Sequence, residues 1–484
     1  MQKIAYTILL WSTIYTLSAQ KTMDTATARE DFTIFESILK KGHPGLYEYI
    51  ENDSLDYLFE TTKESFSDSI SDIELYKKML RITDQIQDGH LMLFAPNTIK
   101  TEQYYFPLIV KIINTELYVD TGDFEIPIGS KILSINNREV FRIIEKLKKY
   151  VATDGYNLTK KYRDIELKFG LFYAYEYGIE KLFNIKFITP DGETRTIEIP
   201  SKSFVNVRLR NASRNSYFAK YHNQKNGFEH FNKFIDNKSP FVYYKEDLKT
   251  AVLVVNSFGI DITTFKSNLV KIFKEINKKK IKHLIIDIRN NDGGFRPNSI
   301  HLYSFVAKTQ FKQILDEFII SLSVPEREYV TRTFLNEKEF LEYRFKNHAI
   351  FDGWKITFDD LEAIMVPDKN RFKGKVYVLT SGRTFSAGST FALNAKNDPD
   401  ITVIGEETGG GYYFSIGNFP VYYEFPNSKI TMLMSMEKIT NYVKDKTVPK
   451  GSGVLPDKHI NLSVKDLITG KDPQLDYIFR LIGG

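Results

Sequence analysis

Two side chains in this sequence combine a reactive type with a placement that could use it. Ser386 lies in KVYVLTSGRTFSAGSTFALNAK, residues 375–396, where the apolar run 376–379 reads as a buried strand, Ser381-Gly382 as a break, and Phe385, Ala387, Phe391, Ala392, Leu393 and Ala395 as the packed face of a helix. A serine at that junction holds its hydroxyl beside the unpaired N–H groups of a helix start. Those donors and the helix dipole favour negative charge, so an oxyanion formed by attack from Ser386 would arise among groups already aimed at it. The competing reading is a plain N-cap, which serine commonly supplies. His90 follows Asp88-Gly89 at the end of a helix expected over 71–87 and opens a short strand over 91–94, so its ring is fixed at an element boundary. A lone histidine is more often structural, and on position His90 stays a candidate.

The elements that must position these groups fall into blocks. Phe32, Phe35, Ile38 and Leu39 recur at helical spacing before Gly42 and Pro44, and with the 71–87 helix they make residues 20–96 a helical region. Between 97 and 200 the pattern changes to short strands broken by turns, with one helix carrying Val140, Ile143, Ile144 and Leu147. The piece IPIGSKILSINNREV resembles a segment of PDZ-like domains, which take peptide chain ends by strand addition, and implies a small separate β-barrel. Ser130 and Asn137 depart from that pattern. Residues 201–247 are polar and rich in Asn and Lys, a connector. From 248 to 484 apolar strands alternate with helices: 251–255, a helix over 262–280, 284–288, 376–379 and 401–404, then two strands over 419–425 and 430–434. This predicts an α/β layer with crossovers. After strand 284–288, Gly293 and Gly294 allow close backbone approach; a donor N–H turned into a cleft is one use and a plain turn another. The glycines of GEETGGGYYF, residues 405–414, predict a mobile wall.

Composition narrows the classes. The 484 residues are 42% hydrophobic and 26% charged, an ordinary globular balance. A net charge of +5 from 66 basic and 61 acidic residues gives no reason to expect nucleic acid or a membrane surface as partner. There is no cysteine, hence no disulfide framework, thiol nucleophile or thiolate metal site. MQKIAYTILLWSTIYTLSAQ carries Lys3, an apolar run from Ile4 to Leu17 and a small residue at Ala19, the parts of a secretory signal over residues 1–19. The run is short for a bilayer span, which takes about 20 apolar residues. The expectation is an exported protein, periplasmic or secreted, without an integral membrane segment. No HExxH, Walker loop or GxGxxG suggests a metal or organic cofactor, and none is expected.

Four segments stand in one order: Asp88-Gly89-His90, LIIDIRNNDGGF, TSGRTFSAGSTFA, and VIGEETGGG followed by GSGVLPD. Together they resemble the S41 family of C-terminal-processing (tail-specific) serine peptidases. The resemblance implies a ClpP/crotonase-like catalytic core with a PDZ-like β-barrel domain, and a polypeptide or peptide substrate. In one branch the serine is paired with a lysine of "G-E-x-T-x-G-K-G"; here Gly411 stands at that lysine. The other branch, which is tricorn-core-like, takes its base from "D-x-H", matched by Asp88-Gly89-His90. The resemblance therefore implies Ser386 as nucleophile, His90 as general base, and an oxyanion hole from the N–H of Ala387 with Gly294 or Gly293. Glu437 and Glu407 are candidates for the group orienting the imidazole, and Ser389 stands where the family often has Glu. The alternative is a catalytically degenerate relative that binds peptides without cutting them.

Overall fold

A computed structural model describes residues 22–96, 104–121, 123–203, 239–334, 336–357 and 365–484. The expected signal segment and most of the 201–247 connector lie outside these residues.

Three helices open the described chain: α1 (Thr25–Gly42), α2 (Asn52–Glu64) and α3 (Asp72–Ile86). Asp24 accepts from Thr27 N to start α1, and Ser71 accepts from Glu74 N to start α3. Gln87 ends α3 in a left-handed conformation, φ 57°. The chain then turns through Asp88–His90 into strand β1 (Met92–Phe94). Strands β2 (Val110–Ile113), β3 (Glu116–Val119) and β4 (Lys131–Ile135) follow. Helices α4 (Val140–Leu147) and α5 (Thr159–Tyr177) lead to β5 (Leu182–Ile188) and β6 (Thr194–Pro200), and the sheet runs in the order β6-β5-β4-β3-β2. This block does not enclose a core of its own. Phe32 and Phe35 of α1, Ile112 and Leu117 of the sheet, Phe172 of α5, and Tyr423 and Met432 from far down the chain belong to one buried cluster. Tyr150, stacked on Phe172 at 5.5 Å and 6.1 Å from Tyr76, joins the sheet block to α3.

The α/β layer starts earlier than expected, because residues from the end of the connector form an edge strand, β7 (Phe241–Lys245), antiparallel to β8 (Thr250–Val254). Helix α6 (Ile262–Lys278), strand β9 (His283–Asp287), helix α7 (Arg296–Ser304), strand β10 (Lys375–Thr380), helix α8 (Ala387–Asn397) and strand β11 (Ile401–Gly405) complete the crossovers. Strands β8, β9, β10 and β11 are parallel neighbours in that order. Their residues alternate between two buried faces. Ala251, Leu253, Leu284, Ile286, Val376 and Val378 meet α6 and α8 through Phe265, Phe273 and Phe391. Val252, Ile285, Tyr377 and Ile404 meet the last helix, α9 (Pro473–Gly483), through Leu475 and Ile478.

Two further antiparallel sheets, of five and four strands, draw on residues from both sides of β11 in the chain. One orders Val330–Arg332, β12 (Pro420–Glu424), β13 (Thr431–Ser435) and β1. Strand β1 is its terminal member, with Phe94, Leu93 and Met92 opposite Thr431, Met432 and Leu433. A strand directly after His90 is thus held by residues more than 300 positions later in the sequence.

The carboxyl ends of the parallel strands are stapled. The Arg289 guanidinium, just after β9, grips Asp287 (3.0 and 2.7 Å) and Asp472 (2.9 Å), which also caps α9. Bidentate pairs of this kind fix orientation, and removing one partner leaves a buried charge without compensation. Arg289→Met is expected to destabilise the fold by about 3 kcal/mol or more. Denaturant titration checks this: a midpoint equal to wild type would show that the staple contributes nothing.

Candidate active site

The loops at the carboxyl ends of β9, β10 and β11 converge, where open parallel sheets commonly bind ligands. Ser386 sits between β10 and α8 with φ 52° and ψ −126°, a region sparsely populated by non-glycine residues. Holding it there costs on the order of 1–3 kcal/mol, which the surrounding bonds must offset. Phe385 N donates to Asn291 O (2.9 Å), Gly388 N to Phe385 O (2.9 Å) and Thr390 N to Ser386 O (3.1 Å). Thr384 Oγ1 donates to Ile288 O at 2.9 Å. The Ser386 side chain makes no capping hydrogen bond. The N-cap reading is therefore set aside: the backbone starts the helix and the hydroxyl is left for other work.

Gly293 packs directly on this turn. A Cβ there would lie 2.7 Å from Ser386 Cβ and 3.2 Å from Ala387 N, and φ is 107°. Its N–H, however, donates to Asn291 Oδ1 at 2.9 Å. Among the described residues the N–H groups of Ala387 and Gly294 have no acceptor.

His90 reaches the same place from the other end of the chain. Its ring lies 4.6 Å from that of Phe385, the residue before Ser386, and its backbone N–H donates to Asp88 Oδ1 (2.8 Å). Gly417 closes over the ring; a Cβ there would lie 3.6 Å from Nε2. Nδ1 is buried and has no hydrogen-bond partner among the described residues. Asp88 Oδ2 accepts from His43 Nε2 (3.0 Å), while His43 Nδ1 accepts from Gly45 N, which places the His43 proton on Nε2.

The carboxylate missing from the sequence reading is Asp154. It is buried, with Oδ1 accepting from Gly89 N (2.8 Å) and Oδ2 from Gly411 N (2.9 Å). Its ligand oxygens lie within 4.8 Å of ligand atoms of His90 and Asp88. Burial first, and then the charge of Asp88, push its carboxyl up from 3.8 to about 6, against the opposing pull of His90 and the two N–H donors. Asp88, His90 and Asp154 are close enough to be considered as metal ligands, yet all four carboxylate oxygens already accept an N–H. The arrangement fits an acid and imidazole network better than a cation site.

The two glutamates considered for this role do other things. Glu407 Oε1 accepts from Gly453 N (2.7 Å) and ties two loops together. Glu437 is fully buried, accepts from Asn418 Nδ2 (2.8 Å), and is held well above the usual carboxylate range by burial and by Glu317. Ser389 is buried and bonds Thr384 O (2.9 Å) and Gly410 N (3.1 Å). The 405–414 segment is consequently no loose wall: Gly409, Gly410 and Gly411 all donate to fixed acceptors.

Residues 249–459 match the model of peptidase family S41. That stretch is similar to peptidase family S41. The S41 fold also emerges from solved structures. Mature CPAF complexed with lactacystin is similar at a TM-score of 0.65 and 14% identity, over 95% of this chain and 98% of that one; mature CPAF gives 0.65 and 14%, over 95% and 96%. A putative peptidase from Parabacteroides merdae gives 0.46 and 15%, over 94% and 96%. At such identities the likeness to the CPAF structures establishes the fold alone. No curated protein matches the sequence.

The candidate site has no space for a lysine at Gly411, whose Cβ would lie 2.3 Å from Phe414 O. Gly411→Ala is expected to destabilise the protein by about 1–3 kcal/mol through overpacking, and Gly411→Lys by at least as much with no gain of hydrolytic activity. A thermally stable, more active Gly411→Lys protein would contradict this.

Proposed function

We propose that the chain is an exported serine peptidase, periplasmic or secreted, that hydrolyses peptide bonds through an acyl-enzyme, with Ser386 as nucleophile and His90 as general base. The observation that carries the reading is the uncapped Ser386 hydroxyl in a strained turn, one residue from the Phe385 ring, which lies 4.6 Å from the His90 ring and is tilted 32° to it. In this mechanism one ring nitrogen of His90 takes the Ser386 proton as Oγ attacks the carbonyl, and the N–H groups of Ala387 and Gly294 receive the oxyanion. Gly293 keeps the space beside Oγ open. The imidazolium gives its proton to the leaving amine. Water then repeats the sequence on the ester, passing its proton through His90 back to Ser386. Asp154, near the ring without a hydrogen bond to it, and Asp88, whose Oδ1 lies 4.0 Å from Nδ1, stabilise its charged form through their charge. The sheet of residues 110–200 is read as PDZ-like, presenting a polypeptide chain to the S41 domain, which makes carboxyl-terminal processing the favoured activity.

A fluorophosphonate probe is expected to label Ser386, and Ser386→Ala and His90→Ala to lose both label and peptide hydrolysis, by about 10³-fold or more. Lactacystin, seen bound in the CPAF structure, serves as a second probe. A folded protein that takes up neither compound would instead be a peptide binder without catalysis.

The raised carboxyl of Asp154 gives a signed pH dependence. Its folded value near 6 exceeds 3.8, so the folded state binds the proton more tightly. Its contribution to stability therefore falls as pH rises from about 4 through 6. Activity moves oppositely, because only the ionised form stabilises an imidazolium, and kcat/KM is expected to rise through pH 6. Asp154→Asn should flatten the Asp154-dependent part of both trends and lower kcat on the order of 10²–10⁴-fold. Wild-type turnover in that variant would remove Asp154 from the mechanism.

A further inference from the structure

Beside the S41 site runs a groove that the chemistry above does not use. It has a volume of about 230 Å³ and lies between β1, α3, the 149–153 segment and α5. One wall is β1, the terminal strand of its sheet, so its outer edge has no strand partner among the described residues, and of its carbonyls Leu93 O accepts from the Tyr76 hydroxyl (3.2 Å), which also lines the groove. Thr153 Oγ1 and Gln87 Oε1 line the groove, buried and without hydrogen-bond partners. Thr153 is only 2% exposed. Buried polar atoms of this kind are normally satisfied, and leaving them unpaired is costly.

The groove is also positively charged beyond its internal pairing. Lys149 pairs with Glu176 (2.6 Å), Lys161 with Asp84, and Lys160 with Asp164 (2.6 Å). Lys168 also lines the groove and forms no ion pair among the described residues. Helix α5 loses helical geometry at Lys168, with φ −121° and ψ 20°. Arg383 stands 3.9 Å from Asp164 and donates to Asn290 (3.1 Å). One carboxylate, Asp164, thus serves three cations. Burial raises it, but Lys160, Arg383 and Lys168 together hold it below the usual range. The groove connects to the nucleophile through Phe385, whose ring has Lys160 Nζ 4.9 Å from its centre and His90 at 4.6 Å.

Resting on the serine-peptidase reading, we propose that this groove seats the substrate segment next to the scissile bond. The segment adds to the free edge of β1 as a further strand, and a carboxylate on it is held by Lys168 with Lys160 and Arg383. Main-chain pairing supplies sequence-tolerant affinity, while the cations select for an anionic group. The unpaired Thr153 hydroxyl and Gln87 carbonyl face this chain as polar partners. The carboxylate comes from an acidic side chain or from a free chain end.

Two sets of peptides distinguish those sources. In the first, a blocked and amidated peptide carries a single Glu or Gln at successive positions; in the second, a neutral peptide carries a free or amidated carboxyl end. Wild type is expected to favour the carboxylate in one set by roughly tenfold in kcat/KM, carried by KM and shrinking as salt is raised. Lys168→Gln should erase that ratio and Lys168→Glu invert it toward a Lys-bearing peptide. A Glu effect assigns the side chain and a free-end effect the terminus. Ratios near one in both sets, in protein whose Ser386 still takes the fluorophosphonate, would overturn the groove proposal. Absence of labelling in wild type would instead overturn the peptidase reading on which it rests.

Discussion

The structure depends on a single buried carboxylate held by two backbone amides. Asp154 accepts from Gly89 and Gly411, so three segments remote in sequence meet on one side chain. Burying an ionisable acid is costly, and the two N–H donors and the nearby imidazole offset that cost. The amides can approach because neither residue has a side chain. A Cβ on Gly89 would lie 2.6 Å from the Phe385 ring and 2.8 Å from Asp154 Oδ1, and one on Gly411 would meet Phe414 O. The two glycines and the acid form one unit, and moving any of them shifts the turn that carries Ser386.

That unit explains the departures from the lysine-bearing pattern. The position at which a basic side chain would be expected is occupied by a backbone donor. On the proposed reading the base is His90, whose backbone N–H donates to Asp88, which His43 in turn holds. Glu437, one of the two acids the sequence offered for this role, faces Glu317 and Asn418.

The parallel strands were legible because they are fully buried apolar runs bounded by glycines. Ser386 was legible because a strand, a break and a helical face follow one another within twenty residues. Helix α5 was not, since buried charged groups such as Lys161 and Glu166 and a kink at Lys168 interrupt its apolar stripe. Asp154 was equally hidden: in ATDGYN it reads as a turn residue beside a glycine, and the partners that identify it lie at 89 and 411. Strand β7 sits at the end of a polar tract and is half-exposed at a sheet edge, so its residues carry little alternation. The shared core of α1, the β2–β6 sheet and β12–β13 could not be read locally, because each surface finds its cover far along the chain.

The pairing of β1 with β13 has a consequence for biosynthesis. Met92–Phe94 hold His90 in place only when residues 431–433 lie beside them, and Gly89 is anchored through a carboxylate that also needs residue 411. A nascent chain halted before that point has its histidine but nothing to dock it against. Long-range strand pairing of this kind forms late. The assembled site is thereby a property of a chain that already includes residues 411 and 431–433, and a shorter nascent product lacks that geometry.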